Sequence, residues 1–67
     1  MNKKKTIIFL GSNYLQLEAI KYARSLHFYT IAFDRKRYSP GASIADEFYN
    51  IDCKKVNKIF KILKKKN

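Results

Sequence analysis

The sequence has little of the residues that build covalent or metal-bound sites. It contains one cysteine, Cys53, and one histidine, His27, among 67 residues. A disulfide within the chain and a zinc site built by the protein alone are therefore both excluded. A nucleophilic triad would have to use His27, which we expect at the end of the first helix, far from Gly11. The sequence predicts no catalytic residue and no metal site.

Glycine is also scarce, with only Gly11 and Gly41 in the chain. A dinucleotide site needs G-x-G-x-x-G, whose glycines make a tight turn and let the pyrophosphate approach the backbone. Here Gly11 stands alone, and the side chains of Asn13 and Gln16 at the other two positions would crowd a pyrophosphate. The P-loop pattern G-x-x-x-x-G-K-[ST] has no match. The sequence thus argues against NAD, FAD and P-loop binding.

Long apolar runs are absent as well. No segment approaches the roughly 20 apolar residues of a membrane-spanning helix. The run behind Lys3, Lys4 and Lys5 ends at Gly11, which is too short for the core of a signal peptide. With a single cysteine, a reducing compartment is the default, and we predict a cytoplasmic protein with no membrane partner.

Acidic residues number 5 against 15 lysines and arginines, for a net charge of +10. Such an excess is typical of chains that bind nucleic acid or anionic membranes. The lysines gather at the two ends of the chain, however, where solvated helix faces explain them equally well. One alternative function is therefore a small basic nucleic-acid-binding module. It would use Lys54 to Lys66, with Tyr14, Tyr38 and Tyr49 as stacking surfaces.

The first half of the chain predicts strand, turn, helix and strand. Thr6 to Leu10 is an apolar run without polar alternation, typical of a parallel strand covered on both faces, so we expect it to be central in its sheet. After the turn at residues 11–13, Asn13 caps a helix, with Gln16 three residues later as in a capping box. Ala19, Ile20, Ala23 and Leu26 lie at helical spacing on one face of this helix. The helix ends near His27, which we expect at positive φ, and Tyr29 to Phe33 is the second strand.

The second half predicts a short crossover, a strand and a helix. Pro40-Gly41 is a turn signal, residues 42–45 allow about one helical turn, and residues 48–51 form a third strand. Asp52 caps a final helix with its apolar stripe at Val56, Ile59, Phe60 and Leu63. The predicted fold is α/β, a small three-layer Rossmann-like parallel sheet ordered strand, helix, strand, short helix, strand, helix.

We interpret residues 1–67 as a partial domain, incomplete without further strands. A helix after the third strand normally leads to a fourth strand, so the chain reads as the front piece of a larger domain. An open sheet edge is a template for pairing with another chain. A second alternative function is accordingly an interaction module that completes its sheet by self-association or with a partner.

Four segments in the same order carry a resemblance to a known family. They are residues 7–17 with the helix that follows, residues 31–34, residues 39–41 and residues 45–48. Together they resemble the N-terminal, pre-ATP-grasp domain of ATP-grasp ligases, the group of carbamoyl-phosphate synthase, biotin carboxylase and the purine-biosynthesis ligases. The resemblance covers nearly the whole chain.

The resemblance implies a ligase that activates a carboxylate as an acyl phosphate for attack by an amine. ATP and magnesium would bind in the ATP-grasp domain, so this chain alone would bind no cofactor and be inactive. Its partners would be that domain, in cis or as a separate chain, and a small-molecule carboxylate or amine. Pro40, Ala45 and Asp46 would belong to the framework of the crossover.

The resemblance also implies a set of substrate-binding residues in the turn after the first strand and at the end of the second. Carried onto this sequence, they are Gly11, Ser12, Asn13, Gln16 and Asp34. Each has a purely structural alternative: Gly11 serves the conformation of the turn, Asn13 and Gln16 cap the helix, and Asp34 ends its strand in solvent. The sequence leaves both interpretations open.

Overall fold

A computed structural model describes residues 5–66, which form three strands and two helices. In chain order these are β1 (Thr6–Leu10), α1 (Tyr14–Ser25), β2 (Tyr29–Phe33), β3 (Glu47–Tyr49) and α2 (Val56–Lys65). The strands are parallel and lie in the order β1-β2-β3. The predicted α/β fold with an open parallel sheet is confirmed.

The central strand is β2, so the prediction that β1 is central is wrong for the described part of the chain. β1 pairs with β2 alone, and Ile8 and Leu10 on it are exposed. In β2, by contrast, every residue from Thr30 to Phe33 is buried. An unbroken apolar run shows that a strand can be covered on both faces, but the neighbouring elements decide whether it is.

The core lies on both faces of β2. On one face, Ile31 and Phe33 form a buried cluster with Ile59 of α2. Because successive side chains of a strand alternate between faces, Thr30 and Ala32 point the other way, and both are fully buried. α1 contacts β1 and β2 and supplies buried Ile20 and Ala23, so it covers this second face. The two helices thus flank the sheet in three layers.

The ends of α1 follow the predicted signals. The Asn13 side-chain oxygen accepts hydrogen bonds from the backbone N–H groups of Leu15 and Gln16, as expected of an N-cap. At the other end His27 has φ 67°, its N–H donates to the Arg24 carbonyl, and the next N–H, of Phe28, donates to the Ala23 carbonyl. This pair of bonds is a Schellman motif, and it confirms His27 as the left-handed residue that ends the helix.

The second half of the chain differs from the prediction in its details. The crossover consists of consecutive turns, and the bond from Ala45 N to Gly41 O closes one turn of α type. Asp52 does not cap α2: the helix begins at Val56, and the Asp52 carboxylate accepts from Lys54 N in the preceding turn.

The apolar stripe of α2 is only partly covered. Ile59 is buried and Leu63 packs against the core, whereas Val56 and Phe60 are exposed. The predicted stripe is therefore buried along one side only, because the narrow sheet leaves its other side without a neighbour among residues 5–66. Within residues 5–66, no helix has the length and apolar character needed to cross a membrane.

Candidate functional site

The five residues predicted to bind substrate lie together at the carboxyl ends of β1 and β2. Gly11 has φ 111°, which a side chain rarely tolerates, and its N–H donates to Phe33 O at 2.7 Å. The next N–H, of Ser12, donates to Asp34 Oδ2 at 2.8 Å, and Ser12 is fully buried. The turn after β1 is thus held against the end of β2 by backbone geometry and by one carboxylate.

Asp34 organises this cluster with both of its carboxylate oxygens. Oδ2 accepts from Ser12 N, and Oδ1 accepts from Lys36 N at 2.8 Å. Partial burial by itself would raise the pKa of Asp34, but the hydrogen bonds from Lys36 and Ser12, with the positive charge of Lys36, lower it below its ordinary value. The carboxylate therefore stays ionised at neutral pH, and the site carries a fixed negative charge.

The crossover supplies two further residues of the cluster that the sequence did not single out as site residues. The Ser12 and Ser39 hydroxyl oxygens are joined by a hydrogen bond, and Ser39 is buried. Gly41 N donates to Ser12 O at 2.7 Å. A Cβ on Gly41 would lie 2.8 Å from Ile20 Cδ1, so only glycine fits between the turn and α1. The Pro40-Gly41 signal marked a turn, but its contact with Ser12 arises only in the folded chain.

Four N–H groups in this turn and in the first turn of α1 are used by the protein itself. Gly11 N and Ser12 N bond to Phe33 O and Asp34, while Leu15 N and Gln16 N share the Asn13 side-chain oxygen. A phosphate-binding turn instead aims such groups at the ligand. The charge of Asp34 would also repel a phosphate at this point. The geometry agrees with the missing glycines in disfavouring a dinucleotide.

Gln16 has a polar atom that the rest of the cluster does not use. Its amide group lies over Gly11, where a Cβ would be 3.6 Å from Nε2 and 3.8 Å from Oε1. Oε1 is buried, and among residues 5–66 it has no hydrogen-bond partner. A buried polar atom without a partner is costly, so it requires an explanation such as a bound water, an ion or a ligand. This oxygen can accept a bond from an N–H or O–H donor of a ligand.

A second polar cluster lies at the opposite, amino end of the strands, and no sequence pattern predicted it. Glu47 accepts hydrogen bonds from the hydroxyls of Tyr29 at 2.5 Å and Tyr49 at 2.7 Å, and it pairs with Lys66 Nζ at 2.5 Å. The hydrogen bond from Lys66, followed by those of the two tyrosines, lowers the pKa of Glu47 to about 2. The bond to Glu47 also raises the pKa of Tyr29.

A cavity of about 570 Å³ adjoins this second cluster. Ile8, Ile31 and Leu63 form its apolar wall, and Glu47 and Lys66 stand at its polar side. The Glu47 oxygens are already bonded within the protein, so the cluster acts as a clamp between α2 and the first residues of β2 and β3.

The surfaces named for nucleic-acid stacking are not equivalent. Tyr14 and Tyr38 are exposed, but Tyr49 stacks on Phe33 with ring centroids 5.3 Å apart and lies beneath Lys66. The Tyr49 ring therefore packs in the core, and neither of its faces is open for stacking on a base.

Cys53 is half-buried, and burial, followed by the charges of Asp34 and Asp52, raises the pKa of its thiol.

Residues 5–66 contain no group of three or more His, Cys, Asp or Glu side chains placed to hold a metal ion. Neither protein-family models nor curated proteins give a match to this chain. The assignment of function therefore depends on the geometry of the two clusters and on the resemblance in the sequence.

Proposed function

We propose that this chain is the N-terminal, substrate-side domain of an ATP-grasp ligase, inactive without its catalytic partner. In this role the chain binds a small carboxylate or amine, and the ATP-grasp domain, in cis or as a separate chain, supplies ATP and magnesium. The cluster at the carboxyl ends of β1 and β2 is the part that contacts the substrate.

The observation that supports this proposal most directly is the position of Gln16 Oε1. In open α/β sheets, ligands bind outside the carboxyl ends of the strands, and that is where the unpartnered oxygen lies. Asp34, which accepts from Ser12 N in the same cluster, carries a negative charge. A cluster that holds an acceptor oxygen and an ionised carboxylate suits the N–H donors of an ammonium or amine group better than it suits a phosphate.

Titration of the ¹⁵N-labelled chain tests the site. Glycine, aspartate, bicarbonate and ethylamine serve as probes, added one at a time, and Mg-ATP is added separately. We expect an amine-bearing probe to shift the amide signals of residues 11–16 and 34, while Mg-ATP leaves those signals in place and is not hydrolysed. Measurable ATP hydrolysis by the pure chain would refute the proposal.

The variant Gln16→Met removes the acceptor while keeping a long, flexible side chain. Because Oε1 has no partner within residues 5–66, the substitution should abolish probe binding without lowering the free energy of unfolding. Asn57→Met, which alters an exposed amide on α2, is the control and should bind as the unmodified chain does. Equal binding by Gln16→Met and Asn57→Met would contradict the assigned site. The proposal also expects an ATP-grasp domain to be encoded beyond Asn67 or in a separate gene.

A further inference from the structure

Two basic loops meet at the carboxyl ends of the strands. One loop follows β2 and the other precedes α2, and side-chain bonds hold them together. Cys53 Sγ donates to Phe33 O at 3.4 Å. The Asn50 side-chain amide donates to the carbonyl oxygens of Asp34 and Arg35, each at 3.0 Å. The basic residues that come next in the two loops therefore leave the sheet from neighbouring positions.

Six exposed cations lie on these two loops and on the first turn of α2. They are defined here as the basic surface: Arg35, Lys36, Arg37, Lys54, Lys55 and Lys58. Within residues 5–66 none of the six forms a salt bridge, so the protein does not neutralise their charges by ion pairing. Half of the surface, Arg35 to Arg37, lies outside the basic stretch that the sequence suggested for binding nucleic acid.

Two carboxylates stand among these cations, and both accept bonds from backbone N–H groups. Asp34 accepts from Ser12 N and Lys36 N, and Asp52 accepts from Lys54 N at 2.9 Å. Six cations against two carboxylates leave an excess of four positive charges on this side of the molecule. Such an excess on a small area attracts a polyanion, whose condensed counterions are released on binding.

One exposed aromatic ring adjoins the basic surface. Tyr38 follows Arg37 in the loop after β2, and 89% of the residue is exposed. The loop is closed by a bond from Ser39 N to Lys36 O at 3.3 Å. The Arg37 guanidinium carbon lies 5.9 Å from the centre of the Tyr38 ring. Exposed rings beside arginines are the platforms on which unpaired bases stack in proteins that bind single strands.

We propose that the basic surface binds single-stranded nucleic acid, with phosphates on its cations and one base stacked on Tyr38. In a duplex the faces of the bases are hidden inside the stack, so a duplex can use the cations but not the ring. Other polyanions are likewise bound by charge alone. Only a ligand that carries both phosphates and unstacked bases engages the cations and the ring together.

Fluorescence anisotropy of a labelled single strand of about 12 nucleotides tests the proposal on the unmodified chain. We expect a dissociation constant of about 1–10 µM in about 50 mM salt. If all six cations contact phosphates, the logarithm of the affinity falls with the logarithm of the salt concentration with a slope of about −4. The affinity should then drop about 300-fold between about 50 and 200 mM salt. Absence of binding at the lower salt concentration would overturn the proposal.

Matched triple variants locate the surface. Arg35→Gln/Lys54→Gln/Lys55→Gln removes three of its six cations, so it should weaken binding at least tenfold and make the salt slope shallower by about 2. The control Lys61→Gln/Lys64→Gln/Lys65→Gln removes the same charge from exposed positions farther along α2, and it should leave the slope unchanged. Equal losses in the two variants would mean that net charge alone drives binding, which contradicts the assigned surface.

A separate pair of variants tests the ring. Tyr38→Leu should weaken binding of the single strand at least fivefold, and it should change binding of a duplex of the same length less than twofold. Tyr22→Leu, which alters an exposed tyrosine of α1, is the control and should change neither affinity. If Tyr38→Leu affects both ligands equally, or affects neither, then no base stacks on the ring and the assignment to a single strand is wrong.

The basic surface and the cluster around Gln16 have different readouts. Oligonucleotide binding tests the surface, and the amine titration tests the cluster, so either proposal can fail without the other. The side chains of Arg35, Lys54 and Lys55 form no hydrogen bond or salt bridge within residues 5–66, so the triple variant should fold as the unmodified chain does. Circular dichroism checks that it does.

Discussion

The clamp around Glu47 leads to a prediction about stability and pH. Its carboxylate joins α2 to the sheet through Lys66 and the hydroxyls of Tyr29 and Tyr49. We consider the change Glu47→Gln, which keeps the size of the side chain but removes the charge and one acceptor oxygen. The variant should be less stable than the unmodified chain at neutral pH, because Lys66 loses its partner and one tyrosine hydroxyl loses its acceptor.

The size of the loss follows from the pKa. Glu47 falls from an ordinary value of 4.5 to about 2 in the folded chain, and each pKa unit corresponds to about 1.4 kcal/mol. About 3 kcal/mol is therefore the upper limit. Since 23% of the Glu47 side chain is exposed, solvent screens part of the interaction, and we expect about 1–2 kcal/mol. In a domain this small, that is a large fraction of the total stability.

The lowered pKa of Glu47 also determines how its contribution to the free energy of unfolding changes with pH. A carboxylate whose pKa is lowered by folding stabilises the protein above its unfolded pKa, and that stabilisation is lost as the pH falls toward the folded pKa. The difference between the unmodified chain and Glu47→Gln should therefore be complete above about pH 5 and should disappear by about pH 2.

Urea unfolding followed by circular dichroism at several pH values measures this difference. Glu18→Gln is the control, because Glu18 is exposed and meets only Lys21, at 3.5 Å. It should cost less than about 0.5 kcal/mol at any pH. The reasoning is refuted if Glu47→Gln and Glu18→Gln cost the same at pH 7, or if the difference for Glu47 grows as the pH falls.

Three other predictions concern single positions. Gly41→Ala should cost about 1–3 kcal/mol in urea unfolding, because its Cβ would lie 2.8 Å from Ile20 Cδ1 and 2.9 Å from Ser12 Cβ; unchanged stability would mean that the turn and α1 can separate freely. His27→Gly should stabilise the folded chain by about 0.5–1 kcal/mol and so raise its thermal midpoint, because His27 has φ 67° and glycine adopts positive φ without strain. His27→Ala should give no gain in stability. Cys53 should react with a thiol reagent more slowly than a free cysteine at pH 8, because burial raises its pKa, and equal rates would contradict this.

Local sequence signals predicted the elements and their ends where a short segment determines its own conformation. The bounds of β1 and β2 agree with the apolar runs, Asn13 caps α1, and His27 takes positive φ. These features depend on backbone preferences and on bonds between residues a few positions apart. Such bonds form in any fold that contains the segment, so sequence is enough to predict them.

Features that depend on distant residues were not predictable in the same way. The position of β1 at the sheet edge, the exposure of Phe60 and the failure of Asp52 to cap α2 each depend on which elements pack together. In the candidate site the same limit applies: the five residues could be named from the sequence, but the bond between Ser12 and Ser39 joins segments 27 positions apart.

The α/β class, the turn after the first strand and the absence of a glycine-rich dinucleotide motif could all be read from the sequence, because each follows from residue type and local spacing. Only the tertiary structure showed the clamp at Glu47 and the unpartnered oxygen of Gln16. Each of these is a property of side chains brought together from separate elements. Burial and pairing of that kind depend on the packed arrangement, which no single segment encodes.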